Sequence, residues 1–88
     1  MEILKSASAG TLESSDAYVE ISPADSLSLE IESVVKEQFG QEIEAAVLDV
    51  LKEQNIDAAL VKVIDRGALE CVIRARVETA ALRSKEAK

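Results

Sequence analysis

Serine hydroxyls beside carboxylates are the first chemistry this chain offers. Ser14 and Ser15 stand together between Glu13 and Asp16, inside the run Gly10-Thr11-Leu12-Glu13-Ser14-Ser15-Asp16. An unactivated serine is a weak nucleophile until a base takes its proton. The only nearby bases in sequence are the two carboxylates, so another enzyme must supply the activation. This suits covalent attachment at an exposed serine better than catalysis; the plainer role is a polar loop or a cap. Histidine is absent from the 88 residues, and cysteine occurs once, as Cys71. Imidazole acid–base work, Ser-His and Cys-His nucleophile pairs, and an internal disulfide are therefore excluded. One Cys and no His also leave no transition-metal cluster, and no carboxylates fall at calcium-loop spacing. No catalytic and no metal-binding residues are expected.

The elements that must position the serine pair follow from hydropathy periods. Residues 1–15 are mostly small and polar, and read as a flexible or loosely packed arm. Ala17, Val19 and Ile21 then alternate with Tyr18, Glu20 and Ser22, as a half-buried strand does. Ser22-Pro23-Ala24-Asp25 is turn chemistry. Leu27, Leu29, Ile31 and Val35 alternate inward after it, so the two runs read as a β-hairpin. Gly40 punctuates the chain. From Gln41 to Gln54 the period changes: Ile43, Ala46, Val47, Val50 and Leu51 fall on one helix face, and Asn55 is a left-handed stop. Alternation returns with Ala59, Val61 and Val63. Asp65-Arg66-Gly67-Ala68 reads as a turn. Leu69, Cys71, Ile73, Ala75 and Val77 alternate again, as the second strand of a second hairpin. Residues 79–88 read as a frayed helical tail. The expected fold is α+β, in the order β-β-α-β-β, with one amphipathic helix packed on a small sheet.

On this pattern Cys71 is a buried structural thiol between Leu69 and Ile73. Arg74 and Arg76 share the opposite face of the same strand, where guanidinium forks could meet phosphates or an acidic partner. The plainer reading is a solvated strand face.

Composition bounds the rest. A chain of 88 residues is one domain, 1–88, with a modest core built from Val, Ile, Leu and Ala, since Tyr18 and Phe39 are the only aromatics. No run approaches the roughly 18 apolar residues of a membrane span, and the first residues lack a signal-peptide pattern. A cytoplasmic protein is expected. The net charge is −7. Residues 1–55 hold twelve acidic and three basic side chains, a balance of −9, while residues 56–88 hold five and seven, a balance of +2. An acidic front half disfavours nucleic acid and suits basic patches on partner proteins.

Three ordered blocks carry a family resemblance. Gly10 to Asp16 is similar to the prosthetic-group serine region of the acyl carrier (gamma) subunit of citrate lyase. Lys36-Glu37-Gln38-Phe39-Gly40 resembles the family's strand–helix junction. Asp65-Arg66-Gly67-Ala68-Leu69-Glu70-Cys71-Val72-Ile73-Arg74-Ala75-Arg76-Val77, continuing to Ala80-Ala81-Leu82-Arg83, resembles its C-terminal hairpin. The resemblance implies a non-catalytic carrier domain with covalent attachment at Ser14, Ser15 being the competing acceptor. The implied cofactor is 2'-(5''-phosphoribosyl)-3'-dephospho-CoA, joined through a phosphodiester, whose thiol bears acetyl and then citryl. It also implies partners: an alpha subunit exchanging acetyl for citrate, a beta subunit cleaving citryl thioester, the prosthetic-group transferase, and a ligase that acetylates the thiol. Tethering makes each transfer effectively intramolecular.

Three other readings compete. The carrier of malonate decarboxylase uses the same kind of arm. A small acidic scaffold module would need no modification at all. An ordinary phosphopantetheine carrier would use Ser26, because Asp25-Ser26-Leu27 matches its motif. Such carriers need a full helix before that serine, and residues 1–24 hold only a polar arm and an alternating run.

Overall fold

The computed structural model describes residues 5–33 and 36–85, with the side chains of 36–39 excepted. Six elements follow one another: β1 (Ala7–Gly10), β2 (Ala17–Ser22), β3 (Leu27–Ser33), α1 (Lys36–Glu53), β4 (Ala59–Asp65) and α2 (Glu70–Ser84). They make one four-stranded sheet in the order β1-β2-β4-β3, with helices on one face. The α+β class is as expected; the order of elements is β-β-β-α-β-α.

The strand periods hold. Ala17, Val19 and Ile21 of β2 and Ala59, Val61 and Val63 of β4 are all buried, and their neighbours turn to the open face. The pairing differs from the expectation. β2 and β3 do not form a hairpin, because β4 lies between them, antiparallel to β2 and parallel to β3. Two causes act together. Parallel neighbours need a long crossover, and α1 between β3 and β4 supplies it. The central place then goes to β4, whose Ala59, Val61 and Val63 are fully buried, while Leu29 and Ile31 of edge strand β3 stay half-buried.

Helix α1 buries Ile43, Ala46, Val47, Val50 and Leu51, the stripe its period marks. It begins earlier than Gln41, so Gly40 lies inside the helix and the block from Lys36 forms its first turns. Asn55 ends it at φ 59°. The Asn55 amide donates to Lys52 O at 3.0 Å and the Ile56 amide to Leu51 O at 2.9 Å. This is the Schellman pattern, closed by the buried side chains of Ile56 and Leu51.

The second hairpin is overturned. Residues 70–84 form helix α2, and Ile73, Val77, Ala80, Ala81 and Ser84 are its buried stripe. Ile73 and Val77 are four apart, a spacing that serves both a strand face and a helix face. The strand reading needed Cys71 and Ala75 inside as well, and both are exposed. Cys71 is thus an exposed thiol rather than a buried one. Residues 79–84, expected in a frayed tail, complete α2, which packs on β1, β2 and α1. Residues 7–10, expected in a flexible arm, form edge strand β1 with Ala9 buried. The expectations for residues 1–4, for Val35 and for residues 86–88 lie outside the described residues.

Candidate functional site: the serine loop

The serine pair sits on the loop between β1 and β2. Gly10 pairs with Tyr18 at the last rung of that ladder. Gly10 has φ +96°, and a Cβ there would collide with the Ala17 carbonyl oxygen, so the loop leaves the sheet only through a glycine. The Asp16 amide donates to Glu13 O at 3.2 Å, closing a four-residue turn with Ser14 and Ser15 at its centre. Ser15 has φ 67°, the left-handed third position of a type II turn. Both serines are exposed, and neither hydroxyl makes a hydrogen bond among the described residues.

Asp16 holds this turn to the body. Arg76 of α2 grips its carboxylate with both fork nitrogens, Nε to Oδ1 at 3.0 Å and Nη2 to Oδ2 at 3.0 Å. Thr11 Oγ1 donates to Oδ2 at 2.6 Å, and the Ala17 amide donates to Oδ1 at 2.7 Å. Thr11 Oγ1 also accepts the Glu13 amide at 3.2 Å, so the hydroxyl ties both halves of the loop. The Arg76 hydrogen bonds, then those of Thr11 and Ala17, hold the Asp16 carboxyl well below the usual carboxylate range.

A second loop locks onto the first. The Ser15 amide donates to Arg66 O at 2.8 Å, and the Arg66 amide donates to Asp16 O at 2.9 Å. These bonds extend the β2–β4 ladder past the Ala17–Asp65 pair. Asp65, 2% exposed, orders the second loop from within. Its Oδ1 accepts the amides of Gly67 at 3.1 Å and Ala68 at 2.8 Å, and its Oδ2 accepts Ser33 Oγ at 2.7 Å.

Arg74 and Arg76 are not a strand-face pair. On a helix they diverge: Arg76 reaches Asp16, while Arg74 bonds Glu70 at 2.9 Å and Asp49 of α1 at 3.2 Å. Both guanidinium groups are engaged by carboxylates. Ser26 lies at the other end of the sheet, where its carbonyl accepts the Ala59 amide at 3.2 Å. The length of β4 separates the two ends, about 20 Å at strand rise. Strands, not a helix, precede Ser26, and strand β3 follows it.

A cleft of about 210 Å³ opens beyond the Asp65 loop, between Ile43, Ala46, Leu69 and Ile73, with Glu42 and Glu70 on its rim. Its carboxylates suit no phosphate. A wider hollow of about 600 Å³ lies by Leu27, Leu48 and Ile56, at the Ser26 end. No group of three or more metal-ligating side chains occurs among the described residues. No described helix is long and apolar enough to cross a membrane. The sequence singles out Ser14 and its neighbours as candidates, but not Arg76 as the loop's anchor or Asp65 as the organiser of the second loop. The signals are the turn reading of Asp65 to Ala68 for Asp65, and for Arg76 its guanidinium fork, read there as facing phosphates or a partner rather than Asp16.

Comparison with known proteins places the chain in a family and supports the fold. A family model described as ACP, malonate decarboxylase delta subunit (MdcD), matches residues 4–84. The chain is 56% identical over 86 residues to the citrate lyase acyl carrier protein of Haemophilus influenzae (strain PittEE), covering 98% of the chain and 90% of that relative. It is 52% identical over 88 residues to citrate lyase acyl carrier protein 2 of Salmonella typhimurium, covering 98% and 91%. Among solved structures, a chain of a Pseudomonas malonate decarboxylase hetero-tetramer in complex with malonate matches with TM-score 0.77 at 21% identity, covering 94% of this chain and 91% of that one. At that identity the likeness speaks for the fold.

Proposed function

The chain belongs to the acyl carrier protein family of citrate lyase and malonate decarboxylase, and on that premise we propose that it is the carrier subunit of citrate lyase, modified at Ser14. The carrying observation is the turn itself: a hydroxyl with no hydrogen bond among the described residues, exposed at the centre of a turn that Arg66 and, through Asp16, Arg76 hold to the body. Identity of 56% to a citrate lyase carrier, against 21% to the malonate decarboxylase chain, favours citrate lyase between the two systems.

The residues present fit a covalently held 2'-(5''-phosphoribosyl)-3'-dephospho-CoA. Ser14 Oγ would form the phosphodiester, and its surroundings leave the hydroxyl open to a transferase. When attached, the group supplies a terminal thiol that carries the acyl group as a thioester. Ser14 is preferred over Ser15 because the Ser15 backbone is pinned by Arg66 in a left-handed conformation. The chain does not activate its own serine. Asp16 is held ionised by Arg76, which makes it a poor base. The transferase must therefore supply the group that takes the Ser14 proton. The role of the chain is non-catalytic: it presents the attachment point on a rigid turn and raises the effective concentration of the acyl group at its partners. Those partners are the alpha and beta subunits, the transferase and the acetylating ligase, in the cytoplasm.

Mass analysis of protein made alongside its modifying enzymes tests this. The expected adduct is phosphoribosyl-dephospho-CoA on the peptide containing Ser14. Ser14→Ala should lose the adduct and all citrate cleavage by the reconstituted complex, with an unchanged folded spectrum. An adduct on Ser26 instead, or full cleavage by Ser14→Ala, would discard the reading.

A further inference from the structure

Four of the eight described cationic side chains are already committed. Arg74 is paired with Asp49 and Glu70, Arg76 with Asp16, Arg83 with Ser8 O and Lys85 with Gln54. Lys5 and Lys52 lie toward the Ser26 end of the sheet, and Lys62 stands mid-strand on the open face between Glu20 and Glu30. Arg66 differs from all of these. Its backbone bonds the C-terminal half of the serine turn, through Ser15 N and Asp16 O, at 2.8 and 2.9 Å. Its side chain is exposed and makes no hydrogen bond or ion pair among the described residues.

We propose that Arg66 is the phosphate-docking residue of the carrier, holding the phosphate oxygens of the group attached at Ser14 and so fixing the direction in which the arm leaves the turn. This inference rests on the attachment reading above. The charge argument is direct. A phosphodiester on Ser14 adds an anion beside Glu13, whose carboxylate is exposed with no cation paired to it among the described residues. Asp16 adds none, because Arg76 already neutralises it. The cation free to offset the new charge at this end, among the described side chains, is Arg66. A guanidinium fork matches phosphate oxygens in two-pronged geometry. Because the Arg66 backbone is locked to the turn, little of its main-chain freedom is lost on docking.

The test uses the loaded carrier, with mass analysis first and phosphorus NMR second. In the wild type the phosphodiester resonance should be broadened and shifted relative to the loaded peptide released by digestion, an undocked reference. Arg66→Gln, which keeps the backbone bonds, should move the resonance toward the peptide position and lower the ratio of docked to free arm about two- to five-fold, as expected for an exposed charge pair. Arg66→Lys should restore part of it. Salt near 1 M, where the Debye length is about 3 Å, should do to the wild type what Arg66→Gln does. Superimposable phosphorus spectra for wild type and Arg66→Gln would overturn the inference. So would slower loading of Arg66→Gln with a wild-type spectrum in the loaded fraction, which assigns Arg66 to transferase recognition. A wild type that carries no adduct on Ser14 overturns the attachment reading itself, and mass analysis reports that before any spectrum is recorded.

Discussion

Asp16 accepts four hydrogen bonds on two oxygens, from Thr11, Ala17 and twice from Arg76. Every one of them favours the ionised carboxylate, so proton binding and loop order oppose each other. The sign follows from linkage. The folded loop holds Asp16 below its ordinary value of 3.8, so the released loop binds a proton more readily. The contribution of Asp16 is complete above the ordinary carboxylate range and is lost as pH falls through that range toward the lower folded value. The carboxyl carbon resonance of Asp16 should therefore stay in its ionised position at about pH 3. Arg76→Gln should raise the midpoint toward 3.8. A midpoint near 3.8 in the intact protein would contradict the bidentate grip. None of this was visible around Ser14 alone, because the partner of Asp16 lies 60 residues away.

At the scale of elements, α2 shows how a period can mislead. Ile73 and Val77 fit a strand face and a helix face equally, and only the wider stripe through Ala80, Ala81 and Ser84 separates the two. Two substitutions read the difference by denaturant midpoint. Ile73→Ala should cost about 2–5 kcal/mol through the cavity it leaves under α2. Cys71→Ser, at an exposed position, should change stability by less than about 0.5 kcal/mol. Equal large losses at both positions would restore the strand. The same helix joins fold to site, since the turn that buries Ile73 and Val77 also carries Arg76 out to Asp16. Helix α1 was legible because its whole stripe and its Asn55 stop are local features.

The whole molecule is two layers: a sheet with one open face, and two helices covering the other. Strand β4 has a neighbour on each side, whereas β1 and β3 each have one. Amides of Val61 and Val63 should therefore exchange with solvent only on global unfolding, and those along β3 faster by local opening at the edge. Hydrogen exchange followed by NMR reads this directly. Exchange in β4 as fast as in β3 would contradict its central place. The open face turns Glu20, Glu30 and Lys62 to solvent, and the serine loop stands at one end of the sheet, clear of that face.

The amino-acid sequence by itself determined most of the pieces and marked the serine pair as the candidate. The alternation of β2 and β4, the stripe of α1, the stop at Asn55 and the absence of histidine are each written within a few residues. So are the blocks that link Ser14 to the acyl carriers. Tertiary structure alone decided which strand sits between which, that residues 70–84 coil into a helix, and that Arg76 and Arg66 converge on the serine turn. Strand order is a competition for the most buried place, settled by comparing whole strands joined through a helical crossover. The convergence at Ser14 depends on ends of the chain that meet only once that competition is resolved.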